Sequence, residues 1–333
     1  MRIGDIHIDK PICLAPMEDV SDVPFRLLCK GQGADLVYTE FTNCEALIRN
    51  VKDAQRKIEL HPDEHPVAVQ IYGSAEESMT QAAERATWAA PDFIDINCGC
   101  WVKKVAKRGD GAGLLRDLGK FKSVVEAVQR GTHLPVTVKT RLGWDHESIC
   151  ILDVARMLED MGVSALTVHC RTRAQGYTGQ ADWDWLPRIK EASGIQLIAN
   201  GDITEPEHVK HLFDMGVDGV MIGRGAITSP WIFRHARHYL ETGEKLPDLT
   251  LRERVTMCLR HLKDQAAYRG ERRGVITFRK HYSGYLKGVA NIAQLRKELM
   301  AFEEVAPIEE RLWAFVEEHE ARGGEPASEA AVA

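Results

Sequence analysis

The sequence predicts an α/β protein, a (β/α)8 TIM barrel followed by a small all-α helical domain. Three observations carry this. Eight short apolar runs rich in β-branched residues alternate with helical stretches from residue 12 to residue 239. Strand candidates then stop, and everything from Thr250 to Glu320 is helical in pattern. Nearly every apolar run ends in a polar or cationic residue, as expected where a barrel concentrates its chemistry at the C-terminal ends of its strands.

The strands are predicted in order at ICLAP (12–16), DLVYT (35–39), PVAVQI (66–71), DFIDIN (92–97), PVTVKT (135–140), SALTVHC (164–170), IQLIAN (195–200) and DGVMIG (218–223). Near-continuous apolar runs suit parallel strands buried on both faces. Parallel neighbours need crossover helices, and eight strands close a sheet. Among those helices, 149–161 places Ile151, Leu152, Val154, Ala155 and Leu158 near helical spacing, with Asp153, Glu159 and Asp160 for the wet face. In 205–216, Glu205 and Pro206 open a helix and Gly216 closes it. A doubly wound open sheet is the alternative, but no G-x-G-x-x-G follows the first strand. The expected boundaries are 1–243 for the barrel, a polar linker containing Gly243 and Pro247, 250–320 for the helical domain, and a disordered tail at 321–333. Thr250 caps the first helix after the linker, with Glu253 as its capping-box partner.

The composition of the 333 residues is that of an ordinary soluble protein. No run approaches the ~18 apolar residues of a membrane span. The opening MRIGDIHIDKP has no apolar core of a secretory signal. Eight scattered cysteines suit reduced thiols, so a cytoplasmic location is expected. The net charge of −6 hides an asymmetry: residues 252–297 hold twelve Lys/Arg against three Asp/Glu, whereas 303–333 hold nine Glu against two Arg. A basic segment of this kind suits a polyanionic partner, although a solvated helical face explains it equally well.

The strand ends carry Pro16 and Met17, Glu40, Gln70, Asn97 with Cys98 and Cys100, Lys139 with Arg141, His169 with Arg171, Asn200-Gly201-Asp202, and Gly223-Arg224. Glycines after the seventh and eighth strands, with Arg224 beside them, fit a phosphate site of backbone N–H groups and a bidentate guanidinium. A phosphate-bearing ring cofactor at the barrel mouth fits this layout, with Gln70, Lys139 and Asn200 to hydrogen-bond the ring. The stretch DINCGCWVKKVAKRGDGAGLL (95–115) sets two thiols in front of Lys103, Lys104, Lys107 and Arg108 and a glycine-rich loop that reads as flexible. Cys-x-Cys alone is a poor zinc pattern, and no metal is expected. A disulfide across one residue would be strained. A catalytic thiol at Cys100, with the cations facing an anionic substrate, is the reading left standing, and Cys98 is expected to be packed.

In LAPMEDVSDVPFR (14–26), VAVQIYGS (67–74), DINCGCWVKKV (95–105), PVTVKTRLGW (135–144), LTVHCRTRAQGYTGQADW (166–183), IANGDIT (198–204), MIGRGAITSPWIF (221–233) and FRKHYSGYLKG (278–288), the chain resembles the tRNA-dihydrouridine synthases, most of all the bacterial B-type enzymes. The resemblance implies reduction of the C5–C6 double bond of uridines in tRNA, with FMN as cofactor and NADPH or NADH as reductant. It implies FMN contacts from Pro16, Met17, Glu18, Gln70, Lys139, His169, Asn200, Gly201, Asp202, Gly223 and Arg224. It makes Cys100 the donor of a proton to C5 while hydride from the reduced flavin reaches C6, with Asn97 and Arg141 as candidates for the uracil edge. Lys103, Lys104 and the basic helical domain would grip tRNA phosphates. A monomer without membrane association is expected. An FMN barrel acting on a small pyrimidine-like substrate is the alternative. Two positions depart from the family pattern: Trp101 stands where proline usually follows the catalytic cysteine, and Cys170 stands where glycine usually follows the histidine of the sixth strand.

Overall fold

The computed structural model describes residues 1–322. The tail expected to be disordered, 321–333, lies outside the described residues from 323 onward. Two compact units divide the chain: Met1–Ala226 with Trp231–Glu244, and Ile227–Pro230 with the residues from Lys245 on.

The first unit is the barrel. Its strands are β1 (Ile12–Leu14), β2 (Val37–Tyr38), β3 (Val67–Tyr72), β4 (Phe93–Cys98), β5 (Val136–Arg141), β6 (Ala165–His169), β7 (Leu197–Asn200) and β8 (Gly219–Ile222). Five fall inside the runs expected from the sequence, and β3, β4 and β5 each run one residue past them, to Tyr72, Cys98 and Arg141. Neighbours pair in parallel from β2 through β8, β8 pairs with β1, and a parallel bridge between Cys13 and Leu36 closes the ring. The inside is packed by Cys13, Ala15, Leu36, Tyr38, Ala68, Phe93, Ala165, Ile198 and Met221, so the lower barrel is a core and not a channel. A two-stranded hairpin, Arg2–Ile3 with Ile6–His7, adds Ile3 to that core.

The helices form where apolar spacing and caps coincide. Ile151–Asp160 buries Ile151, Val154, Ala155 and Leu158 and leaves Asp153, Glu159 and Asp160 wet. Pro206–Asp214 begins with Pro at its first turn, and Gly216 leaves it at φ +90°, a conformation glycine adopts without strain.

Among the described residues of the second unit the regular elements are helices, with no strand. Leu251–Arg269 opens with the expected capping box between Thr250 and Glu253. Glu271–Phe278, Tyr282–Tyr285, Ile292–Leu299 and Val305–Ala321 follow. Ile227–Pro230 belongs to this unit although it precedes the linker, because Gly284 lies so close that an added Cβ would stand 2.4 Å from the Ile227 carbonyl. The basic segment and the acidic tail meet here: Arg252 pairs with Glu320 at 2.6 Å, Lys263 with Glu309 at 2.7 Å and Arg272 with Glu303 at 2.7 Å. These pairs are exposed to solvent, which screens them, so each holds its partners only weakly.

Candidate active site at the barrel mouth

In-register pairing builds the site from the strands upward. Gln70 on β3, Asp95 on β4 and Thr137 on β5 are lateral neighbours. Two residues further on, Asn97 and Lys139 pair across β4 and β5. Above them Arg141 pairs with His169 and His169 with Asn200. Because side chains alternate along a strand, Asp95 and Asn97 share one face, as do Thr137, Lys139 and Arg141.

Cys100 sits just past β4 and is 9% exposed. Asn97 Oδ1 accepts from the backbone N–H of Gly99 at 3.1 Å and of Cys100 at 2.9 Å, which turns the chain sharply after the strand. Burial holds the Cys100 thiol above its ordinary pKa, so it stays protonated near neutrality. Cys98 is fully buried with its pKa raised much further, which fits a packed side chain.

The segment read from sequence as a flexible loop is folded. Lys103–Ala106 forms a helical turn and Gly111–Arg116 a 3-10 helix whose Gly111–Leu115 are buried. Its glycines serve close approach. Gly111 has φ +55°, and an added Cβ would stand 3.0 Å from the Cys100 Cβ. The Ala112 N–H donates to the Cys100 carbonyl at 3.2 Å. Lys103, Lys104, Lys107 and Arg108 are exposed.

Arg141 is buried and ties two loops together. Its Nε donates to the Gly99 carbonyl at 3.0 Å, and its Nη1 to the carbonyls of Thr172 and Gly176 at 3.0 and 2.9 Å. Trp101 extends this clasp: its ring meets Tyr177 edge-on with centroids 5.3 Å apart, and its indole lies against Gly176. The restraint a proline would give the loop is replaced here by docking onto the segment after β6. Cys170 is fully buried, its thiol donating to the Val168 carbonyl at 3.7 Å.

The rest of the mouth is cationic. Lys139 donates to Asn200 Oδ1 at 2.9 Å, and Asn200 Nδ2 donates to the Met221 carbonyl at 2.8 Å. Burial, with Arg141 nearby, lowers the Lys139 pKa to about 8. His169 is held neutral, well below its ordinary pKa, by burial and by Arg141, Lys139, Arg171 and Arg224. Burial opposes ionisation of Asp202, but Arg171 and the Ala181 N–H, with Arg224 beyond, keep it a carboxylate. Asp202 is thereby occupied in orienting Arg171 (2.6 Å) and Arg224 (2.9 Å). Gly201 has φ +119°, and an added Cβ would stand 2.8 Å from His169 Cδ2. Arg224 opens the short helix Arg224–Thr228 after β8, with its guanidinium 4.4 Å from the Tyr177 ring centre. Pro16 and Met17 are half-buried after β1, and Gly223 faces Ala15 and Met17. Glu18 is the outlier: it is exposed and ion-paired to Lys57. Asn97, Lys139, Arg141, His169 and Asn200 therefore converge on one mouth with Cys100 at its edge, and Gln70 lies fully buried in the layer beneath. Lys103 and Lys104 lie further out, on the helical turn that follows. Tyr177 was not anticipated, since an aromatic inside a polar loop carries no periodic signal.

The family model of the dihydrouridine synthases (Dus) matches residues 13–320. The chain belongs to the dihydrouridine synthase family. It is 38% identical to tRNA-dihydrouridine synthase B of Pseudomonas aeruginosa over 299 residues, 90% of either chain. It is 38% identical to the B enzyme of Klebsiella pneumoniae over 319 residues, 95% of this chain and 99% of that one. A probable tRNA-dihydrouridine synthase 1 of Synechocystis is 36% identical over 92% of this chain. Among solved structures, morphinone reductase in complex with tetrahydroNAD superposes with a TM-score of 0.51 at 15% identity, covering 74% of this chain and 91% of that one, a likeness of fold.

The mouth of this synthase chain fits a flavin mononucleotide. Four cations crowd His169, and among the described residues Arg171 and Arg224 pair with the carboxylate of Asp202. Such a surplus suits a phosphate and an electron-rich ring. Two of the three Lys139 donor hydrogens are not taken by Asn200.

Proposed function

We propose that this protein reduces uridines in tRNA to 5,6-dihydrouridine, using FMN and NADPH or NADH. The observation that carries the reading is Cys100, a mostly buried thiol kept protonated beside a cationic mouth. When bound, FMN supplies the hydride that adds to C6 after taking it from the nicotinamide. Gln70, Lys139, Asn200, Gly201, Gly223 and Arg224, with Pro16 and Met17, hold it, and His169 packs beside it. Asp202 contributes by fixing Arg171 and Arg224. Glu18 contributes through its charge near Cys100.

Addition of hydride at C6 leaves charge on C5 and the C4 oxygen. Cys100 delivers the proton to C5, a role that calls for a thiol rather than a thiolate. A positioned acid of this kind contributes roughly 10²–10⁴-fold. Lys139 stabilises the developing oxyanion. Asn97 and Arg141 each keep a donor for the uracil edge, although most of their hydrogen bonds shape the Cys100 loop. The target base leaves its stack to enter the mouth. Lys103, Lys104 and the basic helical unit neutralise backbone phosphates, so affinity falls steeply with salt.

The test is anaerobic reoxidation of the reduced, FMN-loaded protein. Reoxidation by tRNA and not by free uridine supports the reading. Equal reoxidation by uridine favours the small pyrimidine substrate, and reoxidation by neither rejects both.

A further inference from the structure

We infer that Asp95, fully buried one layer beneath the mouth, is a positioning residue for Cys100: its carboxylate fixes the direction of two amides that in turn hold the backbone of the cysteine loop. The inference rests on Cys100 being the proton donor.

The hydrogen bonds form one unbranched line. Thr137 Oγ1 donates to Asp95 Oδ1. Gln70 Nε2 donates to Asp95 Oδ2 at 2.6 Å. Asn97 Nδ2 donates to Gln70 Oε1 at 2.9 Å. Asn97 Oδ1 accepts from the N–H groups of Gly99 and Cys100. Asp95, Gln70 and Thr137 are 0% exposed and Asn97 7%, so water cannot substitute for a missing partner.

The direction of this line is set at its two ends, and the lower end is Asp95. An amide presents a donor end and an acceptor end, and either can face a neutral neighbour. An ionised carboxylate accepts only. It therefore forces the Gln70 amide to present Nε2 downward and Oε1 upward. Oε1 accepts only, so Asn97 must present Nδ2 to it. That leaves Asn97 Oδ1 for the two loop N–H groups, which also can bond only one way. Inverting Asn97 would set donor against donor at Gly99 and Cys100, and inverting Gln70 would set donor against donor at Asn97 and acceptor against acceptor at Asp95. A neutral amide at residue 95 removes the selection at the lower end, because it can present either end to Gln70, and leaves the two loop N–H groups alone to orient both amides. The charges near Asp95 do not supply it instead: among the described residues the cation acting on it is Lys139, which lies on the mouth side. Arg141 fixes the Gly99 carbonyl but leaves both N–H groups to Asn97.

The perturbation is Asp95→Asn, isosteric and neutral, with Thr137→Ser as a comparison that disturbs the same layer while keeping the hydroxyl that donates to Asp95. Each FMN-loaded variant is treated with iodoacetamide, and alkylation of Cys100 is followed by peptide mass spectrometry. Its flavin content, its bleaching by NADPH and its reoxidation by saturating tRNA are measured alongside. Asp95→Asn is expected to speed Cys100 alkylation by about fivefold and slow reoxidation by about tenfold, with flavin content, bleaching and half-saturating tRNA within about twofold of the parent. Thr137→Ser is expected to stay within about twofold throughout. Parental alkylation in Asp95→Asn overturns the inference, as does loss of fold or flavin, or the same defect in Thr137→Ser. If the parent itself is not reoxidised by tRNA, the proposed function has failed, and the alkylation comparison still decides whether Asp95 positions the loop.

Discussion

Asp95 should cost the barrel stability at neutral pH, and Asp95→Asn should recover it. Burial raises the carboxyl from 3.8 to about 6, against the opposing hydrogen bonds of Gln70 and Thr137 and the charge of Lys139. A raised acid is bound more tightly to its proton in the folded state, so the fold weakens as pH rises from the unfolded value to the folded one and then levels off. A shift of about two units corresponds to about 3 kcal/mol in all, of which about half falls between pH 5 and 8. Asn lacks the ionisation. The stability of Asp95→Asn relative to the parent should therefore rise by about 1.5 kcal/mol between pH 5 and pH 8. Urea denaturation of the FMN-free protein at both pH values, followed through the barrel transition, reads this directly. A stability difference independent of pH, or one that falls as pH rises, would refute the reasoning. A variant more stable yet slower would be a local trade of stability for activity.

Other consequences follow from the same geometry. Cys98→Ala should leave turnover within about threefold and lower stability by about 1 kcal/mol, as for a small buried side chain, measured by parallel assays and urea curves. Gly111→Ala should destabilise by about 1–2 kcal/mol for its left-handed backbone. Because the added methyl meets Cys100, it should also slow reoxidation by tRNA while leaving bleaching by NADPH intact. FMN affinity, read by flavin fluorescence quenching, should weaken as pH rises from 7 to 9, because Lys139 with its pKa lowered to about 8 loses its charge there. Lys139→Met should flatten that slope.

The strands were legible because buried parallel strands leave unbroken apolar runs, and all eight surfaced where PVAVQI, DFIDIN and their counterparts stand. The hairpin of Arg2–Ile3 and Ile6–His7 was not, since two-residue strands are too short to show a period. Lys139, Asn200 and His169 could be picked out because polar side chains ending apolar strands are conspicuous. Asp95 escaped notice although D-x-N on one strand places it on the same face as Asn97. Its partners, Gln70 and Thr137, come from other strands, and only the register joins them. The glycines at 109–113 read as flexibility, whereas Gly111 allows the backbone to pack against Cys100. A sequence reports a glycine without reporting which neighbour approaches it. Arg141 looked like a substrate contact, and its bonds to Gly99, Thr172 and Gly176 show how fully loop carbonyls occupy it.

The central claim is that a protonated Cys100 completes uridine reduction. Purified protein is incubated with FMN, NADPH and unmodified tRNA, and the nucleosides are separated and weighed by mass spectrometry. The parent should yield a nucleoside heavier than uridine by two hydrogens. Cys100→Ala should yield at least about 100-fold less while its flavin is still reduced by NADPH. Dihydrouridine formed at the parental rate by Cys100→Ala, or none formed by a parent whose flavin is bound and reducible, would contradict the account.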